Sequence, residues 1–229
     1  MQLSDPKARL GAVEQLLSGE IIATAFNGIF ALVGDADDPR VPQKLAAAKG
    51  RPRAKGVALI CPPESLREHV AQSDHPLATV EALYRSVHAV GLILPAAEPG
   101  APRLAVQAQT ILNVWTEERP RSHLRELVLE LRRRGRRALV GTSANVTGRP
   151  TISDPAESEA VFGDRVAAML LDSFDHVPPE RRRSASIVDL TAAPPRLVRE
   201  GSVPAGELRA AMRAVGLAEL TVPLDVARV

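Results

Sequence analysis

Aromatic residues are scarce in this chain. Phe, Trp and Tyr make up 3% of its 229 residues, with one Trp (Trp115) and one Tyr (Tyr84). A core must therefore be assembled from Ala, Val, Leu and Ile, and no aromatics interleave with the arginines to build a base-stacking surface. The single cysteine, Cys61, excludes an intramolecular disulfide and fits a reducing compartment. No run approaches the roughly 18 apolar residues that a membrane span needs. The opening Met1-Gln2-Leu3-Ser4-Asp5-Pro6 has no basic-then-apolar signal pattern, so the cytoplasm is the expected location and no membrane partner is expected. The five histidines (His69, His75, His88, His123, His176) show no zinc spacing, and no Ser-His-Asp set stands out. No protein-held metal is expected. Lysine is rare too: four lysines stand against twenty-five arginines.

What is present is ordinary for a soluble globular protein, with 45% hydrophobic and 24% charged residues and a net charge of +2. The pattern along the chain alternates strands and helices. Apolar residues at Leu10, Val13, Leu16 and Leu17 predict a helix over 6–18, stopped by Gly19. Strands over 20–25 and 29–33 flank Asn27-Gly28, a strong hairpin signal. Helices are predicted from Asp38-Pro39 to Ala48, over 63–71 and over 76–87, and strands over 90–94 and 111–114. The segment 121–134 is an amphipathic helix with Leu124, Leu127, Val128 and Leu131 on one stripe and arginines opposite, ended by Gly135. A strand at 138–141 is followed by a helix over 155–161, strands over 166–171, 186–190 and 196–199, and a helix from 203–204 to 215. With no repeat and no low-complexity linker, the expectation is one α/β domain over 1–216 and a C-terminal tail over 217–229. Its fold class is a twisted open mixed sheet flanked by helices, with a basic concave site.

Two segments carry candidate chemistry. The strand at 138–141 runs into Gly141-Thr142-Ser143-Ala144-Asn145-Val146-Thr147-Gly148, a turn crowded with short hydrogen-bonding side chains. The end of a buried strand is where an open α/β sheet usually binds its ligand, although such turns are often only turns. Ala144 would let a ligand approach the backbone. The second segment is Lys49-Gly50-Arg51-Pro52-Arg53-Ala54-Lys55-Gly56, which holds two of the four lysines. In extended backbone, Lys49 and Arg51 point the same way and offer a point charge and a planar fork to one anion. A solvated basic loop is the plainer reading. Two arginine clusters, Arg119 to Arg137 and Arg181-Arg182-Arg183, admit a contact with RNA or nucleotide phosphates, or simply a solvent-facing helix.

Together with Ser186-Ile187-Val188-Asp189-Leu190 and Leu197-Val198-Arg199-Glu200-Gly201, these blocks occur in the order seen in the YrdC-like family, which the chain resembles from about Ala12 to Met212. The resemblance implies an open α/β fold and a nucleotidyltransferase that uses ATP, with Mg2+ carried on the nucleotide, to adenylate the carbamate formed from L-threonine and bicarbonate. The product serves a tRNA modification. By resemblance, Lys49, Arg51, Ser143, Asn145, Ser186 and Arg199 fall on nucleotide-binding positions, with Lys49 and Arg51 as the catalytic pair. The implied partners are ATP and a small amino-acid-like substrate.

The chain departs from the family where the amino acid is handled. The family's Pro-Thr-(Asp/Glu)-Thr-x-Tyr-Gly segment reads Ala25-Phe26-Asn27-Gly28-Ile29-Phe30-Ala31 here, and the Pro-Gly-Pro-x-Thr turn falls at Val87-His88-Ala89-Val90-Gly91. An expected Arg falls at or near Trp115, and Ala185 stands where the family has Ser. Phe26, Asn27 and Trp115 become the candidate substrate pocket, with core packing as the alternative for the two aromatics. Two rivals therefore stand beside the threonine enzyme. One is a paralogue acting on another carbamoyl adenylate or amine, and the other is a non-catalytic nucleotide- or RNA-binding protein.

Overall fold

The computed structural model describes residues 1–2, 4–26, 28–50, 57–71, 73–87, 89–97, 108–113, 123–146, 148–172, 174 and 177–228, apart from the side chains of 63, 108–113, 123 and 227–228. Its centre is one ten-stranded open sheet in the order β10-β9-β8-β4-β5-β3-β6-β2-β1-β7. The strands are β1 (Ile21–Phe26), β2 (Ile29–Asp35), β3 (Ala58–Cys61), β4 (Val90–Pro95), β5 (Ala108–Asn113), β6 (Leu139–Ser143), β7 (Ala168–Leu170), β8 (Ser186–Asp189), β9 (Arg196–Glu200) and β10 (Ala227–Arg228). The sheet is mixed. β1–β2, β2–β6, β6–β3, β4–β5 and β8–β9 pair antiparallel, and β1–β7, β3–β5, β4–β8 and β9–β10 pair parallel. Every residue of β1 and β2 is buried, so these mostly apolar strands are covered on both faces, with Thr24 and Asp35 as their buried polar members.

The helices are α1 (Pro6–Leu17), α2 (Val41–Ala48), α3 (Leu77–Ser86), α4 (His123–Arg133), α5 (Pro155–Phe162) and α6 (Ala205–Ala214). Two begin on an aspartate cap followed by proline: Asp5 accepts from Lys7 N, and Asp154 accepts from Glu157 N. The stripe of α4 behaves as its spacing predicts, with Leu124, Leu127, Val128 and Leu131 all buried. α2 lies close over β2 because Gly34 has no side chain: a Cβ there would sit 2.4 Å from Val41 Cγ1.

Where element boundaries differ from the sequence reading, the shifts are mostly one to three residues. One element changes type. The helix expected over 63–71 is a 3-10 segment, Pro63–Glu68, after which Val70 bridges to Ala96. A second difference concerns the segment after α6. Leu217 and Leu220 are buried in the main core, Leu197 N donates to Thr221 O, and β10 lies alongside β9. The segment docks on the sheet edge.

Candidate functional site

The turn after β6 is tied down from three sides. Ser143 pairs with Ala31 of β2, and Ala144 N donates to Phe30 O at 2.8 Å. The chain then doubles back, so that Ile152 N donates to Ala144 O and Phe30 N to Ile152 O. Ala144 is buried beneath this return. Within the turn, Ser143 Oγ donates to Asn145 Oδ1 at 2.8 Å and Asn145 Nδ2 to Arg149 O at 2.8 Å. Gly148 closes it at φ +83°.

Lys49 supplies the third side. It caps the C-terminus of α2, and Gly50 (φ +60°) turns the backbone away after it. Its side chain is only 3% exposed. The ammonium donates to Thr142 Oγ1 at 3.2 Å, to Asn145 Oδ1 at 2.7 Å and to Ser143 O. The two segments that stood out in the sequence, more than ninety residues apart, thus meet in a direct hydrogen-bond cluster, with Lys49 holding the turn.

Beside the turn lies a cavity of about 190 Å³. Phe26, Ile29, Ala31, Val57, Ala58, Ile60 and Gly141 make it apolar on one side; Thr142, Ser143, Ser184 and Arg199 provide polar groups, with Ala185 and Ile187 completing the wall. Arg199 comes from β9, which is held between β8 and β10. Its Nε and Nη2 both donate to Ala185 O, at 3.0 and 2.7 Å. Burial pushes the guanidinium's pKa down. No carboxylate pairs with Arg199 among the described residues, and none lines the cavity there. A desolvated, unneutralised guanidinium on a cavity wall is a seat for an anion.

The structure therefore brings Lys49, Ser143 and Asn145 into one cluster and places Ser143, Arg199 and Phe26 on one cavity. It does not bring Ser186 there. β8 alternates, so Ile187 faces the cavity while Ser186 faces away, fully buried. Its hydroxyl donates to Val203 O (2.6 Å) and accepts from Gly201 N (2.9 Å) and Val203 N (3.2 Å), which exhausts it. In this geometry the Ser186 hydroxyl anchors the turn between β9 and α6. Arg51, Asn27, Trp115 and His88 lie outside the described residues.

The arginines of α4 also differ from a phosphate-binding stripe. Arg125 pairs with Glu64 (2.9 Å), Arg132 with Glu68 (2.6 Å), Arg133 with Glu130 (2.7 Å) and Arg134 with Glu14 (3.0 Å). Just beyond the helix, Arg136 and Arg137 pair with Asp35 and Asp37. In the second cluster, Arg181 pairs with Glu207. Apart from Arg133, whose partner lies in the same helix, these arginines tie elements of the fold to one another. Cys61 is no nucleophile, because burial pushes its thiol up to about 12. Among the described residues no group of three or more His, Cys, Asp or Glu could hold a metal ion, and no helix is long and apolar enough to cross a membrane. Residues missed from sequence are Thr142 and Ser184. Thr142 stands inside the quoted turn, and Ser184 precedes β8 by two positions.

Comparison with known proteins agrees with this architecture. A threonylcarbamoyl-AMP synthase of Vibrio campbellii is 32% identical over 163 residues, 69% of this chain and 83% of its own length. Among solved structures, Sua5 of P. abyssi complexed with L-threonine superposes with a TM-score of 0.73 at 20% identity, covering 94% of this chain and 59% of that one. E. coli YciO gives a TM-score of 0.72 at 19% identity, covering 89% and 95%. At those identities the two structures speak for the fold. A family model described as "Telomere recombination", built on the Sua5, YciO and YrdC proteins, matches residues 14–201. That span takes in β1 through β9, the Lys49-held turn and Arg199, and so the chain belongs to the Sua5/YciO/YrdC family.

Proposed function

We propose that this protein is an ATP-dependent nucleotidyltransferase of the threonylcarbamoyl-AMP synthase type. The observation that carries the reading is the Lys49-held turn set beside a cavity that contains a desolvated arginine with no carboxylate partner among the described residues. In the reaction, a carbamate oxygen attacks the α-phosphorus of ATP. A bond forms from that oxygen to phosphorus, the bond from phosphorus to the bridging oxygen breaks, and pyrophosphate leaves with the electron pair. Such a step asks for positioning and charge neutralisation more than for a general acid or base.

Arg199 binds an anionic oxygen of the substrates, with the Ser143 hydroxyl on the same wall. Lys49 fixes the turn that presents Ser143 and Asn145, and Arg51, two residues further on, is assigned to the phosphates. Magnesium travels on the triphosphate, since the described cavity residues include no carboxylate to hold it. The described cavity residues also include no acidic group to receive an ammonium, in keeping with an amino acid whose amine is already carboxylated. The ion-paired arginines of α4 give little support to an RNA surface.

A second reading within the same chemistry is favoured by Phe26. Its phenyl ring lies on the cavity with Ile29, Val57 and Ile60, so the amine partner would carry an apolar side chain in place of threonine. Phe26, Asn27 and Trp115 are then its specificity residues. Incubating the protein with ATP, magnesium and bicarbonate, with and without L-threonine or L-valine, and measuring pyrophosphate release tests both. Threonine-dependent release supports the first reading and valine-selective release the second. No amino-acid-dependent release with either sinks both and leaves a nucleotide-binding protein without turnover.

A further inference from the structure

The polar wall of the cavity carries a hydroxyl that the family positions do not assign. Ser184 and Ser186 flank Ala185, and either could have served as the hydroxyl of this strand. Ser186 is saturated on the far face. Ser184 stands ahead of the β8 ladder, where strict alternation no longer applies, and lines the cavity next to Arg199 and Ala185. It is 4% exposed, and its hydroxyl has one protein partner, Thr151 Oγ1 at 2.8 Å, in a bond where either atom can donate.

Counting donors shows what remains. Two hydroxyls bring two protons and their shared bond uses one. When Thr151 donates, Ser184 keeps its proton for a ligand. Arg199 has five N–H groups and places two on Ala185 O. Its remaining donors have no partner among the described residues. Both groups are fixed to one short piece of backbone. Arg199 grips Ala185 O, and Ser184 O accepts from Ser202 N at 2.9 Å. Close approach at Gly201 fixes this further, since a Cβ there would lie 2.0 Å from Ser184 O.

We propose that Ser184 is a substrate-contacting residue, its hydroxyl joining the Arg199 guanidinium as a two-donor seat for one carboxylate or phosphoryl oxygen. Thr151 acts behind it as a positioning residue that donates to Ser184 Oγ and so leaves the Ser184 proton for the ligand. The seat replaces the hydroxyl that Ala185 lacks, moved one residue toward the N-terminus. The nature of the anion rests on the adenylating reading; the seat itself does not.

Calorimetric binding of ATP with magnesium, and separately of L-threonine with bicarbonate, to the wild type, Ser184→Ala, Ser186→Ala and Thr151→Val chains tests it, with thermal midpoints measured alongside. Ser184→Ala is expected to weaken one of the two ligands by about tenfold or more, the size of one hydrogen bond to a charged group, while its midpoint stays near wild type. Thr151→Val is expected to weaken the same ligand less. Ser186→Ala should lower the midpoint and leave both affinities alone. Unchanged affinity for both ligands in Ser184→Ala overturns the proposal, as does a Thr151→Val variant that matches Ser184→Ala in affinity and midpoint alike. A wild type that binds neither ligand overturns it together with the adenylating reading. Ser184-dependent ATP binding without pyrophosphate release would sink the adenylating reading alone.

Discussion

Replacing Lys49 with methionine separates the lysine's charge and donors from its bulk. Methionine keeps an unbranched chain of similar length, so the buried space stays filled while three donated bonds vanish. Two of the acceptors cope: Thr142 can turn its hydroxyl, and Asn145 Oδ1 still accepts from Ser143 Oγ. The carbonyl of Ser143 is left with the unmet demand. An orphaned buried acceptor costs about 1–3 kcal/mol, partly offset because no ammonium has to be buried. Net destabilisation of roughly 1–2 kcal/mol corresponds to a drop in Tm of about 2–8 °C for a chain of this size. The functional loss should be larger than the stability loss, because the turn that presents Ser143 is no longer fixed; pyrophosphate release is expected to fall by about a hundredfold or more. Lys49→Arg should not restore it, since a planar fork cannot aim three donors at the same converging acceptors. Circular-dichroism melting and a pyrophosphate assay at saturating ATP provide the two readouts. A Lys49→Met chain as stable as wild type and with full turnover would refute the role of Lys49 as the holder of the turn.

Three further changes test the frame around the site. Gly201→Ala would set a Cβ 2.0 Å from Ser184 O and 3.0 Å from Ala185 O, and backbone cannot give way as a flexible side chain can. A loss of about 3 kcal/mol or more in denaturant unfolding is expected, with loss of ATP binding, and a variant within about 0.5 kcal/mol of wild type would contradict the packing. Deleting residues 217–229 removes Leu217 and Leu220 from the core and strips β10 from the strand that carries Arg199. About 3–6 kcal/mol of burial is lost, a Tm shift on the order of 10 °C, and an unchanged Tm would show that the segment is dispensable. Acid should weaken the fold in two stages. Burial lowers the pKa of His69, so the unfolded chain binds more protons and this contribution, whole above pH 6.5, is lost as pH falls below it. Arg40 holds Asp38 down at about 2, so its contribution persists until pH falls below 3.8 and is lost toward 2. A His69→Gln chain that keeps the wild-type slope of stability between pH 6.5 and 5 would show that another group is responsible.

The parts of the fold legible in the sequence are those set by local chemistry. Asn27-Gly28 announced the β1–β2 hairpin, and Gly28 does take a positive φ of +87°. The stripe of α4 announced its buried face, and the helix expected over 155–161 is α5. Features set by distant partners were hidden. The arginines opposite the α4 stripe looked like a basic surface because Glu64, Glu68 and Glu14, which pair with them, lie roughly sixty to a hundred and twenty residues away. The segment after α6 was read as a tail, and its contacts are all with distant partners: Leu217 and Leu220 find the core and Thr221 and Ala227 find β9.

The same division explains the site. Lys49 and the Ser143–Asn145 turn were each visible as residue types, but sequence alone put both on the phosphate, as parallel contributors. Geometry makes them sequential: the ammonium holds the turn, and the turn and Arg199 border the cavity. That Ser186 does not line the cavity has a reason of phase. Period-two alternation in β8 fixes Ser186 on the face away from Arg199, whereas the backbone ahead of the ladder is set by the contacts of Gly201 and Ser202, so the facing of Ser184 follows from packing rather than from position. A hydroxyl can therefore shift by one residue across the start of a strand and keep its place on a cavity wall, provided that a neighbour without a side chain lets the backbone come close. In this chain that neighbour is Gly201. The demand for glycine at the end of the Leu-x-Arg-x-Gly strand thus comes from the Ser184–Ala185 backbone beside it, which it must touch, and its own φ does not require it.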